Sequence, residues 1–247
     1  MIDYNTLMIV MLAFLVAGTA KGITGFGIQV VALSILTIAL DLVTAMAVLL
    51  APATATHIWQ AIVGGFAREL LARLWPFLLA VSLAVLIGAI ALTRVDLSLL
   101  TAFLGLVMIA YASASLFGVQ FSVAIRTERW LGPTIGLVNG VITGMTGSSV
   151  VPGTMYLQAL GLPRDMLVQS MGMLYLVSTL ALAVALQANS LLDLELGLYS
   201  ASAIVPALCG MLLGQKIRRQ LSETLFRKIF FIALLVLGAY LLVRPFY

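Results

Sequence analysis

The sequence predicts an all-α polytopic membrane protein built from two inverted-topology repeats, each a glycine-broken hairpin (re-entrant or two short spans) followed by three transmembrane helices. Three observations predict it: the apolar composition, two glycine-rich interruptions at matching places, and a loop-charge pattern that reverses between the halves. The chain has 247 residues, of which 63% are hydrophobic and 9% charged, and its mean hydropathy is +1.18. A soluble domain carries about 25% charged residues, so the composition excludes one, and the nearly continuous apolar runs leave no room for a soluble catalytic domain. A net charge of +4 does not point to nucleic acid, because the basic residues fall singly in short loops. Chemistry and function must therefore sit inside the bilayer.

A helix needs about 20 apolar residues to cross the hydrocarbon. The first half divides into segments 6–40, 43–64, 71–92 and 97–118, and the second into 131–161, 166–187, 194–214 and 224–243. Repeat 1 is thus expected over 6–118 and repeat 2 over 131–247, joined by a cytoplasmic linker, 119–130, within a single transmembrane domain. The opening residues resemble a cleavable signal at Ala17 to Ala20, but no Lys or Arg precedes them and Asp3 is acidic, so they are expected to stay in the mature protein.

Segment 6–40 is too long for one span and carries GTAKGITGFGIQ at 18–29; segment 131–161 is its counterpart. Lys21-Gly-Ile-Thr-Gly25-Phe-Gly27 faces Asn139-Gly-Val-Ile-Thr-Gly144-Met-Thr-Gly147, and Val30-Val31 faces Val150-Val151. Gly88 falls opposite Gly214, and Asp96 to Leu100 opposite Ser222 to Phe226, both at an offset of 126 (214 − 88 = 222 − 96 = 126). The chain reads as a duplication.

Loop charge sets the relative orientation. Short cytoplasmic loops collect Lys and Arg. Arg68 and Arg73 follow the second segment, whereas the equivalent loop at 187–195 has only Asp193 and Glu195. The next pair is reversed, with Arg94 beside Asp96 against Lys216, Arg218, Arg219, Arg227 and Lys228. Equivalent loops then lie on opposite sides, with Arg126, Arg129 and Arg164 also cytoplasmic and only Arg94 and Arg244 outside. Inversion requires an odd number of crossings per half, so each glycine segment must enter and return before three ordinary helices.

Non-helical backbone at membrane depth is tolerated only where protein buries it or where it lines a cavity. Matching interruptions in inverted halves point to a substrate site near the midplane. Open N–H groups at glycine, with short helical pieces starting near Ile28 and Val150, favour an anion. Lys21 adds positive charge, and a lysine inside a span costs about 2.5 to 3.5 kcal/mol on insertion scales. The candidate substrate-binding residues are Lys21, Gly22, Thr24, Gly25, Gly27 and Gln29 from the first motif, and Asn139, Thr143, Gly144, Thr146, Gly147, Ser148 and Ser149 from the second. Each has a plainer reading: Gly18 and Gly22 as packing glycines, Lys21 as a snorkelling side chain, and the hydroxyls and amides as groups bonded to nearby carbonyls. His57, the one histidine, is a candidate coupling residue or an interfacial one. Pro52 and Pro206 are expected to kink their helices.

No metal site or cofactor is expected. The lone Cys209 excludes an internal disulfide or a thiolate cluster, no ATP-binding motif is present, and an intramembrane enzyme would need a nucleophile and base that these residues do not supply. The partners expected are a small anion, a coupling ion such as H⁺ or Na⁺, and the lipid bilayer, with a homodimer left open and no nucleic acid. An anion channel and a non-transporting membrane subunit are the rival readings.

The first motif, followed by an apolar run and an acidic turn at Asp41, and the second, followed by Pro152 and ALGLPRDM at 159–166, together resemble the TauE/SafE family of sulfite and organosulfur anion exporters over nearly the whole chain. The resemblance implies export of small anions such as sulfite, thiosulfate or sulfonates across the bacterial inner membrane. Lys21 stands where many members have arginine, Ser148 and Ser149 where glycine is commoner, and Leu33-Ser34 near a common proline. Lysine in place of arginine exchanges a bidentate fork for a point charge, which bears on selectivity.

Overall fold

A computed structural model describes residues 3–118, 122–218 and 223–244, with the backbone alone at 223–227. Residues 119–121 of the expected linker, Arg219, Ser222 and the side chain of Arg227 lie outside the described residues. The described residues form helices and no strand: α1 (Tyr4–Thr24), α2 (Ile28–Ala39), α3 (Leu42–Ile62), α4 (Ala67–Ala89), α5 (Ala91–Arg94), α6 (Leu97–Leu116), α7 (Ile125–Thr146), α8 (Gly153–Ala159), α9 (Arg164–Ala188), α10 (Leu194–Ser202), α11 (Ile204–Arg218) and α12 (Glu223–Val243). Six helical stretches, 4–24, 42–62, 67–94, 97–116, 164–188 and 194–218, are long and apolar enough to span a bilayer. This is a multi-pass membrane protein.

α4 shows why these helices suit hydrocarbon on the outside. Leu71, Trp75, Leu79, Leu83 and Ile87 recur at four-residue spacing on its exposed face, while Leu70, Leu74, Phe77, Val81 and Val85 are buried. A helix apolar on both faces loses nothing by exposing one of them to lipid, and would be penalised in water.

Most boundaries follow the predicted segments, and the exceptions have local causes. α4 starts at Ala67 and takes Arg68 and Glu69 into its first turn, where an acidic side chain complements the helix dipole. α7 likewise starts at Ile125 and includes Arg126, Glu128 and Arg129, so part of the stretch expected as linker is helical. The single span expected at 194–214 is interrupted at Ala203, between α10 and α11. Pro206 cannot donate to the carbonyl four residues earlier, at Ser202. Pro52, by contrast, sits inside a continuous α3.

The helices cluster into two compact units, and each draws on both sequence halves. The first comprises 1–53, 95–119 and 190–247, hence α1, α2, the start of α3, α6, α10, α11 and α12. Here α1 packs on α11 and α6 on α12. A Cβ at Gly18 would overlap the carbonyl oxygen of Ala207, and one at Gly22 that of Met211, so these backbones touch. Gly105 and Gly238 meet in the same way between α6 and α12. At its start, α1 is capped by Asp3, whose carboxylate accepts from the amides of Asn5 and Thr6; the Thr6 hydroxyl, first, holds the Asp3 carboxyl below its usual range. The Asp3 amide donates to the Tyr199 hydroxyl at 2.8 Å, and the Ala51 amide to Ser200 Oγ at 2.9 Å.

The second unit comprises 54–94 and 120–189, hence the rest of α3 with α4, α5, α7, α8 and α9. Its core contact is α4 on α7, again backbone to backbone: a Cβ at Gly140 would overlap the carbonyl oxygen of Val81, and one at Gly144 that of Val85. Arg73 and Glu128 pair between the starts of these helices, Nε to Oε2 at 2.9 Å. The buried Gln169 of α9 serves the end of α3, donating to the Ala61 carbonyl at 2.8 Å and accepting from the Phe66 amide at 2.9 Å.

The two crossings match residue by residue. Gly18 and Gly22 stand 122 positions before Gly140 and Gly144 (140 − 18 = 144 − 22 = 122). Their partners Val81 and Val85 stand 126 before Ala207 and Met211 (207 − 81 = 211 − 85 = 126), the offset already carried by Gly88 and Gly214. In each unit the helix that leads into a glycine break packs on a helix from the other half of the sequence.

Close packing at these crossings generates a stability prediction. Gly22→Ala and Gly144→Ala should each destabilise the protein by about 1–3 kcal/mol, since the methyl must push two backbones apart. Gly197→Ala on α10, where a Cβ meets nothing within 4 Å, should be neutral or stabilise by up to about 1 kcal/mol. Thermal unfolding of the detergent-solubilised chain, followed by tryptophan fluorescence, reads the difference.

Candidate functional site: two matched helix breaks

Both glycine motifs end a helix by the same device. α1 stops at Thr24, and Gly25 adopts the left-handed conformation at φ 84° with its N–H on the Lys21 carbonyl. α7 stops at Thr146, and Gly147 does the same at φ 76° with its N–H on the Thr143 carbonyl. The two capping bonds are both 2.7 Å. Only glycine occupies this conformation at little cost, which is why it stands there.

The threonine before each glycine completes the break. Thr24 Oγ1 donates to the Ala20 carbonyl at 2.8 Å and accepts from the Phe26 amide at 3.2 Å. Thr146 Oγ1 donates to the Ile142 carbonyl at 2.7 Å and accepts from the Ser148 amide at 3.2 Å. The hydroxyl thus satisfies one carbonyl at the helix end and the amide two residues later.

Beyond the breaks the motifs diverge. Gly27 is left-handed at φ 101° and caps α2, which starts at Ile28 as expected. The second short piece starts later than expected, at Gly153 instead of near Val150, because Pro152 occupies the cap position after a cis Val151–Pro152 bond, and proline suits a helix boundary better than its interior. Of each pair only the leading arm is long. The 21 residues of α1 and the 22 of α7 rise about 30 Å, against about 18 Å for the 12 of α2 and about 10 Å for the 7 of α8. The breaks also lie well past the middle of their packing partners. A Cβ at Gly22 would reach Gly214, close to the end of the 194–218 stretch, and one at Gly144 would reach Gly88, close to the end of the 67–94 stretch.

Lys21 lies in the last turn of α1 and is only 4% exposed, so it is buried inside the protein and does not snorkel. Thr143 holds the corresponding place in α7 (143 − 21 = 122). Gln29 is buried in the first turn of α2. Gly22 and Gly144 sit at helix crossings with their amides inside α1 and α7, whereas Gly25, Gly27 and Gly147 form the breaks themselves.

In the second motif Asn139, Thr143, Thr146, Ser148 and Ser149 are all buried. Thr143 shares its hydroxyl between the Asn139 carbonyl at 2.7 Å and the Ser148 carbonyl at 3.3 Å. Asn139 Oδ1 accepts from the Gly153 amide at 2.8 Å, tying the start of α8 to α7. Thr154, next along, shares a hydrogen bond with the Tyr175 hydroxyl at 2.7 Å. His57 is fully buried, with Nδ1 3.4 Å from Thr179 Oγ1 and its ring 5.3 Å from that of Tyr175.

The chain matches the family Sulfite exporter TauE/SafE over residues 10–241. It belongs to that family. No curated protein and no solved structure matches it. The TauE/SafE match runs from within α1 to within α12 and so includes both breaks. A family of exporters places this chain among membrane transporters, and among the described residues no group of three or more His, Cys, Asp or Glu could hold a metal ion.

Sequence reasoning missed several members of the two environments. Phe26, at the tip of the first break, packs against Tyr111 with ring centroids 6.3 Å apart, Phe230 at 6.2 Å and Phe231 at 6.5 Å. Gly153, Thr154, Tyr175 and Gln169 were also missed. Gln169 and Tyr175, polar-tipped residues within an expected span, carried a usable signal; aromatic residues in apolar runs carry none.

Strain at the caps is testable. Gly25→Ala should lower stability by about 1–2 kcal/mol although nothing lies within 4 Å of its Cβ position, because alanine is strained at positive φ. Gly25→Asn should lose less, since asparagine tolerates the left-handed region. Equal melting temperatures for Gly25→Ala and the parent chain would contradict the capping assignment.

Proposed function

We propose that this TauE/SafE member is a secondary transporter that moves a small anion, such as sulfite, thiosulfate or a sulfonate, across the bacterial inner membrane by alternating access, with repeats 6–118 and 131–247 inverted relative to one another. The observation that carries the reading is the pair of helix breaks closed by one threonine and one left-handed glycine at matched positions, the second set among buried hydroxyls and an amide and the first beside a buried lysine. A break of this kind is retained in hydrocarbon where backbone and side-chain donors are to be offered to a solute.

In this reading Lys21 supplies positive charge; Gly25 and Gly147, whose own N–H groups are taken up by the Lys21 and Thr143 carbonyls and so are not the open donors expected from sequence, shape the breaks together with Gly27; and Thr24, Gln29, Asn139, Thr143, Thr146, Ser148 and Ser149 supply orienting polar contacts. Gly22 and Gly144 act one step back, by letting α1 and α7 approach their partners. His57, buried against Tyr175 and Thr179, is the candidate for coupling to H⁺. Lysine as a compact point charge is suited to one oxygen of an anion at a time, where arginine would grip two.

Counterflow in sealed liposomes tests the carrier reading. Unlabelled thiosulfate or sulfite inside should accelerate uptake of the labelled anion severalfold, whereas a channel would show no such stimulation. Lys21→Ala should reduce counterflow at least tenfold, and Lys21→Arg should retain most of it. Unchanged flux in Lys21→Ala combined with Ser148→Ala would instead favour a non-transporting structural subunit.

A further inference from the structure

We propose that Asn139 Nδ2 and Ser148 Oγ donate to the oxygens of a fully ionised oxyanion and form a subsite for it. This rests on the anion-transport reading above and assigns its ligand-recognising atoms. The Asn139 carboxamide is oriented by its own hydrogen bond: Oδ1 accepts from the Gly153 amide at 2.8 Å, so Nδ2 must occupy the other branch of the group. That nitrogen carries two N–H donors, is fully buried, and has no hydrogen-bond partner. Ser148 Oγ is in the same state, 1% exposed as a residue and without a partner. Thr143 links the two residues through their main chains, its hydroxyl lying within 2.7 Å of the Asn139 main-chain carbonyl and 3.3 Å of that of Ser148.

Leaving a buried polar group unsatisfied is costly, and such groups are few in native structures. Two beside one helix break call for a ligand that supplies acceptors. The matched break shows that the fold does not need them. Its threonine and glycine recur, but the place of Ser148 is taken by Phe26 (148 − 26 = 122), packed among Tyr111, Phe230 and Phe231, and that of Asn139 by Ala17 (139 − 17 = 122). The donor pair is therefore a feature of the second break alone.

The chemistry of the pair defines its ligand. Nδ2 can only donate, and Ser148 Oγ can donate alongside it, so the complementary group has several unprotonated terminal oxygens: a sulfonate, thiosulfate, ionised sulfite or carboxylate head. Neither donor is charged. Discrimination then comes from the number and protonation of ligand oxygens, and chloride, a single atom, cannot offer the two groups separate oxygens.

Binding of radiolabelled thiosulfate to the purified full-length chain in detergent tests this, with methanesulfonate and chloride as competitors. Ser148→Ala removes a buried hydroxyl that has no partner, so it should leave the ligand-free melting temperature unchanged or raised while weakening thiosulfate binding at least fivefold. Asn139→Asp keeps an acceptor for the Gly153 amide but replaces the two donors, and should weaken binding at least twentyfold. Methanesulfonate should compete with thiosulfate and chloride should not. If the parent chain binds thiosulfate and shows counterflow while folded Ser148→Ala binds within twofold of it, the subsite is overturned and the transport reading stands. Absence of both binding and counterflow in the parent chain for thiosulfate, sulfite and methanesulfonate overturns both.

Discussion

The structure depends on one constraint: a helix that stops within the packed protein must satisfy its terminal backbone groups from its own residues. α1 and α7 meet it by the same two residues. A left-handed glycine turns its amide back onto the carbonyl four residues earlier, and a threonine hydroxyl serves a carbonyl on one side and an amide on the other. With those groups satisfied, the chain can leave the helix, present other polar atoms, and re-enter a short helix.

A second constraint supports the first. Apolar side chains gain nothing by leaving lipid for protein, so helices in a membrane associate through close van der Waals contact. Glycines at 18, 22, 140 and 144 bring backbones into contact at the crossings that precede the breaks. Each break is thereby anchored by the two turns of helix leading into it, and any polar group placed beyond it has a fixed origin. The glycines thus fall into two sets with different physics, one removing side chains to allow contact and the other permitting a backbone conformation.

With a shared backbone device, the breaks differ in what they present. The first is closed by Phe26 within an aromatic cluster and has a buried lysine one turn earlier. The second has the Ser148 hydroxyl and the Asn139 carboxamide in the corresponding region, the Ser148 main-chain carbonyl accepting from Thr143 and the carboxamide oxygen from the Gly153 amide. The backbone device is the same in both, and the side chains around it give each break a different chemistry.

By itself the sequence determined the membrane class, most of the helix spans and the two breaks, because each is written in local terms: apolar length, and glycine where a helix must stop. The exceptions were also local, as where Pro206 divides α10 from α11 or Pro152 delays α8 to Gly153. Only the tertiary structure decided that Gly22 and Gly144 are contact residues, that Lys21 is buried, that Asn139 holds Gly153, and that each compact unit joins helices from both halves. These facts concern residues far apart in the chain, and in a sequence where nearly every helix is apolar all round, hydrophobic periodicity does not mark which face meets which neighbour. Partner choice is set instead by backbone proximity and by the few polar atoms that must find one another, and those are visible only once the helices are packed.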